Sequence, residues 1–432
     1  MTDKTRIKRI FRSVIRRGTG RAHLMMRDYP TINFSQEILK AAVHNYAYDP
    51  QCEGSREQYI VELINLAPQK ALLIPRVLQK LVEQKENTWG LSQLFDIAKL
   101  LAKSGNVEAR QALYQRFESG TLPEYAYDGE YALVDLDGIE GLKHVAEVRG
   151  ALLLIDYEDH EDDCLINYAQ RENPGIGVEE ELKKAAQNNV YITRYLAAVD
   201  EDRQREKQTP PRPVLDFEFI RNTINQKTRR WIPASAVQKL ARKEIKQLAD
   251  DFLLETDRSR QEMYLRLFSH VKFPHGYERL LTLAQTVPLH ANTSQLLISL
   301  VNALELFKAP AIREFALTAL ITSNAPWIYT DLLINNYRRG DHTLLTRLVE
   351  QAKTELEIEN LASSYCRIYR KNATKHCLEP LNKIYHHMNC GIHREDVVEI
   401  LLRRGVLPNK IRDEIPFDSN TSVRELLNLK QT

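Results

Sequence analysis

Apolar residues recur along this chain at intervals of three and four, and that period belongs to an amphipathic helix. The clearest run lies between Asn292 and Ala352. There Leu297, Leu300, Val301 and Leu304 form one stripe, Ile312, Phe315, Ala316 and Ala319 a second, and Leu345, Leu348, Val349 and Ala352 a third. Start and stop signals separate them. Thr293 is placed to cap the first helix, Pro310 opens the second, Asn324 precedes Pro326, and Gly340 followed by Asp341 ends one helix and caps the next. The marks fall about sixteen residues apart, so a helix pair spans roughly 32 residues, within the range of helical repeat units.

The N-terminal half follows the same grammar. Ser35 caps a helix running toward Tyr46, and Ser55 with Gln58 makes a capping box ahead of Ile60, Leu63, Ile64 and Ala67. Leu91, Leu94, Phe95, Ala98 and Leu101 form a further stripe that closes near Gly105. A lone helix pair buries too little surface to be stable, so consecutive pairs must stack. The pattern therefore predicts an all-α chain, an α-solenoid of stacked antiparallel helix pairs, with a long helix bundle as the alternative.

Two stretches interrupt the pattern. Residues 120–137 carry aromatics, a proline and an Asp-Gly step, and read as an irregular loop or small hairpin. Residues 201–213, EDRQREKQTPPRP, are charged and proline-rich and read as a linker or exposed loop. The expected organisation is a basic amphipathic segment over 1–30, a helical-repeat half over 31–200, the linker over 201–213 and a second helical-repeat half over 214–432.

Composition narrows the class. Hydrophobic residues at 43% and charged ones at 27% are the balance of a folded chain, and 16 glycines and 17 prolines leave few turn-makers. With a net charge of +2, a preference for anionic partners has to be local. Five scattered cysteines without a CxxC pair, and no apolar run near the roughly 20 residues needed to span a bilayer, point to a reducing cytoplasm.

Two segments concentrate positive charge. Arg6, Lys8, Arg9, Arg12, Arg16 and Arg17 share a stretch with Ile7, Ile10, Phe11, Val14 and Ile15 at helical spacing. Such a helix either docks its apolar stripe as a terminal cap or meets phosphate or anionic lipid. Further along, Arg229, Arg230 and Trp231 sit among Lys227, Lys239, Arg242, Lys243 and Lys246, and an aromatic among cations can stack on a base or hold phosphate. These nine residues, Arg6 to Arg17 as named and Arg229 to Trp231, are the candidate binding residues. Trp89 and Trp327 beside helix starts read as core or capping contacts.

Catalytic and metal signatures are weak by comparison. DYEDHEDDC, from Asp156 to Cys164, places His160 and Cys164 four apart, but its carboxylates disfavour the thiolate that zinc requires. In a helix over about 374–389, His386 and Cys390 would share a face near Cys366, His376, Cys377, His387 and His393, at none of the usual zinc spacings. No phosphate loop, nucleophile elbow or HExxH is present. No catalytic residue, metal or cofactor is assigned.

The stretches GTGRAHL (Gly18 to Leu24), AYDPQCEGSREQY (Ala47 to Tyr59), WGLSQLFDIAKLLAKSGNVEARQALYQRF (Trp89 to Phe117) and CGIHREDVVEILLRRGVLP (Cys390 to Pro408) are similar to an uncharacterised group of bacterial HEAT-repeat proteins. The resemblance implies a HEAT- or armadillo-like α-solenoid and carries no assigned activity. HEAT-like folds imply protein-binding scaffolds most often, and in one bacterial branch DNA glycosylases. The expected function is a non-enzymatic interaction scaffold binding a protein partner on a concave face. A nucleic-acid-binding protein, including a base-excising glycosylase-like enzyme, is the alternative.

Overall fold

A computed structural model describes residues 3–84, 88–119, 129–155, 161–208, 213–228, 231–286 and 295–427, and among these the regular structure is helical throughout, with no strand. The chain divides into two compact units. One comprises Met1–Pro211, Asn389–Gly391 and Lys410–Thr432, the other Arg212–Met388 and Ile392–Asn409.

The first unit opens with α1 (Asp3–Arg17), α2 (Arg21–Asp28), α3 (Ser35–Val43) and the short α4 (Pro50–Glu53). It continues with α5 (Glu57–Leu66), α6 (Lys70–Glu83), α7 (Thr88–Lys103) and α8 (Val107–Glu118). Then follow α9 (Glu130–Asp137), α10 (Ile139–Leu153), α11 (Cys164–Glu172), α12 (Val178–Ala186) and α13 (Val190–Gln208). Helices two apart in the chain lie side by side: α3 on α5, α5 on α7, α7 on α9, and α6 on α8. The stripe from Ile60 to Ala67 and that from Leu91 to Leu101 are fully buried in this stack.

Polar side chains lock the stack across helix ends. Gln93 of α7 donates to the carbonyls of Ala41 and Ala42 at 2.8 and 2.9 Å and accepts the Arg56 amide at 3.2 Å. Lys99 bridges Asp96 and Asp135 at 3.0 and 2.9 Å, while Tyr168 of α11 donates to the same Asp135. Burial opposes the charge on Lys99, yet the two carboxylates more than offset it and raise the ammonium group above its usual range.

The end of the chain packs on its beginning. Gly18 adopts φ +73°, and a Cβ there would meet the Ser419 hydroxyl at 2.1 Å. At Gly20 a Cβ would stand 1.9 Å from the Glu414 carbonyl oxygen. The Ser419 amide donates to the Gly18 carbonyl at 2.8 Å, and buried His23 stacks on Phe417 with ring centroids 5.2 Å apart. Arg424 forks onto Glu62 at 2.7 and 3.0 Å. The Gly-Thr-Gly step is therefore a packing device, in which the missing side chains admit the Ser419 side chain at Gly18 and the Glu414 backbone at Gly20.

Several local expectations change. Ser35 is the first residue of α3 rather than its cap, and the Ser55 hydroxyl bonds Glu57 and Asp96 instead of forming a capping box. Residues 130–137, expected as loop or hairpin, are helix α9 behind a left-handed Gly129; residues 120–128 lie outside the described set. Residues 201–208, expected as linker, form the last two turns of α13, because Arg203 pairs with Glu179, Asp163 and Asp200 and holds the charged stretch helical. Residues 389–391 and 410–432, expected in the second half, belong to the first unit.

The second unit contains α14 (Phe217–Asn225), α15 (Ala234–Gln238), α16 (Arg242–Leu254), α17 (Arg258–Phe268), α18 (Glu278–Thr286) and α19 (Gln295–Leu304). After α20 (Pro310–Thr322) comes a 3-10 helix over Pro326–Leu333, then α21 (Asp341–Gln351), α22 (Glu355–Lys371), a 3-10 turn Lys375–Cys377, α23 (Leu378–Tyr385) and α24 (Gly391–Arg403). Alternate helices again pack together: α17 on α19, α19 on the 3-10 helix, that helix on α22, and α21 on α23. Pro310 starts α20 as expected, and Gly340 at φ +105° precedes α21. Asn324 is not a cap, since Ala325 fills that position without a side-chain bond. Thr293 lies outside the described residues. The helix expected over about 374–389 is split, with Thr374 capping the 3-10 turn and α23 ending before His386.

Candidate binding cleft

Of the residues singled out by sequence, Trp231 has the most distinctive setting. Its indole is 82% exposed, against 46% for Trp89 at the start of α7, so neither tryptophan is a core residue. Arg229 and Arg230 lie outside the described residues.

The local chain explains where Trp231 stands. Asp216 caps α14 by accepting the Phe219 amide at 2.8 Å. The helix stops when Lys227 takes φ +52°. Its amide donates to Ile224 and that of Thr228 to Thr223, each at 3.1 Å, which satisfies the last carbonyls in a Schellman arrangement. A left-handed lysine costs about 1 kcal/mol. Its ammonium group reaches Asp257 at 2.7 Å, and the other Asp257 oxygen caps α17 through the Arg260 amide at 3.0 Å. Asp257 thus fixes the turn after α14 against the start of α17, and its hydrogen bond from Lys227 holds its carboxyl below the usual range.

Between these elements opens a cleft of about 500 Å³. Lys227, Trp231 and Ile232 form one side, and α17 forms another through Ser259, Glu262, Met263 and Arg266. Those four residues follow the three-four spacing of one helix face, while Tyr264, Leu265 and Phe268 turn inward to the core. Leu267, Ser269 and His270 complete the wall at the C-terminal end of α17. Ile232, Met263 and Leu267 give the cleft its apolar lining, and cations and hydroxyls share it. Sequence reasoning missed Met263, Arg266 and His270. The available signal was Met263, an apolar side chain on the polar face of its helix.

The N-terminal cations have a different setting. Phe11, Val14 and Ile15 are buried, and Phe11 stacks on Phe34 with centroids 4.0 Å apart, so α1 is docked by its apolar stripe. Arg12 pairs with Glu37 at 3.1 Å, and the Arg16 guanidinium lies 5.2 Å from the centre of the Tyr46 ring. Arg6 and Arg9 are exposed, Lys8 and Arg17 half-buried. The six residues all lie on this one docked helix.

His160 lies outside the described residues, and Cys164 is exposed at the start of α11. A hydrogen bond with Asp162, burial and neighbouring carboxylates raise the Cys164 thiol, away from the thiolate. Nearby, a cavity of about 360 Å³ is lined by Glu130, Tyr131, Arg149, Glu161 and Asp162. Cys366 and Cys377 are buried in the second unit, where burial raises the Cys377 thiol to about 11. His387 faces the Lys383 carbonyl at 2.8 Å and His393 faces Glu359 at 3.0 Å.

One further polar centre stands out in the second unit. Arg367 of α22 binds Asp331 at 2.9 Å and also contacts Glu305. Glu305 is buried, and its other oxygen, Oε2, has no hydrogen-bond partner. Burial and the charge of Asp331 outweigh Arg367 and raise the Glu305 carboxyl to about 7.

Compared with known protein families, curated proteins and solved structures, the chain matches none of them.

Proposed function

We propose that this chain is a non-enzymatic interaction protein of HEAT-like build that holds a protein partner at the Trp231 cleft. The observation that carries the reading is a largely exposed indole on a cleft of about 500 Å³ that Met263, Leu267 and Ile232 also line. A bare tryptophan costs solubility unless something covers it, and Trp, Met and Arg together are the residues enriched where protein interfaces concentrate their energy. The side-by-side packing of alternate helices supports the HEAT-like build. The scaffold also suits binding: α17 is anchored by core residues on one face and offers the cleft wall on the other, so the ligand meets a rigid surface.

The test compares affinity purification from host cells with the wild-type chain and with Trp231→Ala, followed by identification of the proteins recovered. A stoichiometric partner retained by wild type and lost with the variant is expected. Recovery of no stoichiometric partner, or of one that both forms retain equally, overturns the assignment of this cleft.

A further inference from the structure

The charge balance around the cleft indicates what kind of partner it suits. Most carboxylates of the surrounding helices are already engaged: Asp250 faces His275 at 2.6 Å, Asp251 holds Arg221 at 3.1 Å, Glu255 holds Arg260 at 3.5 Å, and Asp257 holds Lys227. Arg266 and His270, which line the cleft, have no carboxylate at ion-pair distance among the described residues. The same holds for Lys239, Arg242, Lys243 and Lys246, all exposed, three of them on α16, which packs against α17. The local surface therefore presents cations without carboxylate partners among the described residues, next to apolar side chains.

We infer that the cleft takes an acidic peptide segment carrying one large apolar side chain, an inference that rests on the cleft being the binding site. The apolar side chain enters between Trp231 and Met263, where burial of aromatic and thioether surface supplies the main attraction, and the flexible methionine adapts to its shape. Carboxylates on either side meet Arg266, whose planar fork can grip a carboxylate with two parallel hydrogen bonds. The remaining lysines and arginine act at longer range, drawing an acidic segment in and raising the rate of association.

Two features favour a peptide over a nucleic-acid strand. A single strand is held by stacking successive bases on successive large aromatics, and Trp231 is the one Trp, Tyr or Phe lining this cleft among the described residues. Glu262 lines it as well, and its carboxylate opposes a continuous run of phosphates. A peptide tolerates that residue, because a backbone amide or a single basic side chain can stand opposite it.

The experiment measures fluorescence anisotropy of a labelled short peptide with aspartates and glutamates flanking a central phenylalanine. Comparison probes replace the acids by lysine, replace the phenylalanine by alanine, or use single-stranded DNA of similar length. The protein is the full chain as wild type, Trp231→Ala, Arg266→Glu and the remote control Leu72→Ala, whose side chain is exposed in the first unit. The anchored acidic peptide is expected to bind best, with an affinity loss of about thirtyfold in Trp231→Ala, as for a central interface tryptophan. Arg266→Glu is expected to weaken it about tenfold, and Leu72→Ala to leave it unchanged. Tighter Trp231-dependent binding of the lysine peptide or the DNA overturns the acidic ligand while leaving the cleft as the site. Binding of no probe, or binding insensitive to Trp231→Ala, overturns the cleft itself.

Discussion

The Glu305 carboxyl makes a quantitative claim about how the second unit responds to pH. It is buried between α19 and its neighbours, with Asp331 close enough to repel its charge and Arg367 too exposed to compensate fully. Its ordinary value of 4.5 rises to about 7 in the folded chain. A carboxyl raised on folding binds its proton more tightly in the native state. Its contribution is therefore fully present below 4.5 and is lost as pH climbs through about 7. Asp331, also raised by burial, acts in the same direction. At about 1.4 kcal/mol per pH unit, the Glu305 change amounts to about 3 kcal/mol between acid and alkaline solution. Glu305→Gln removes the titration while keeping the shape, and it frees Arg367 to pair with Asp331 alone. The variant is expected to match wild type within about 1 kcal/mol near pH 5 and to exceed it by about 2 to 3 kcal/mol near pH 8.5. Urea unfolding in a Trp89→Phe background reads the second unit, because Trp231 and Trp327 both lie there. A difference between the two proteins that stays constant with pH refutes the reasoning, as does one in which the variant weakens on the alkaline side.

Two predictions concern the first unit. Gly20→Ala places a methyl group 1.9 Å from the Glu414 carbonyl, so denaturant unfolding should show a loss of about 3 kcal/mol or more, and a loss under 1 kcal/mol would show that the two backbones separate easily. Glu62 is opposed by burial but held down to about 2 by hydrogen bonds with His23 and Arg424, so its contribution is present above 4.5 and lost as pH falls toward 2. Arg424→Ala should flatten that acid limb of the stability profile, and an unchanged limb would refute the role of the fork.

How far the sequence could be read depended on whether the determining contact was local. The stripes Leu297 to Leu304 and Leu91 to Leu101 are buried because a helix of period 3.6 has no other way to shield them, and that period is written in consecutive residues. Cap residues were less legible, since a hydroxyl has several possible partners. Ser55 satisfies the motif for a cap, but Asp96, forty-one positions away, outcompetes the backbone amide for it. The stretch 201–208 reads as linker because it lacks apolar residues, whereas charge pairs stabilise it as helix, Arg203 with Asp200 on its own helix and with Glu179 on α12. The Gly18 and Gly20 contacts were beyond local reading altogether, because Ser419 and Glu414 are nearly the whole chain away and no periodicity connects them.

The cleft falls between these cases, and for a physical reason. Trp231 was conspicuous because an aromatic among cations can stack on a base or hold phosphate, so composition alone marked it. Its opposite wall was not, because Ser259, Glu262 and Arg266 repeat with the spacing of any solvated helix face, and the period that reveals a buried stripe is blind to what stands across from the exposed one. Only the turn at Lys227, a left-handed residue held by Asp257, brings the tryptophan against that face. That turn follows from a long-range ion pair rather than from a glycine, which is why no local signal announced it. The proposed binding surface is thus set by one tertiary contact between a helix end and a helix start, and the ligand chemistry inferred for it by cations that have no carboxylate partner among the described residues.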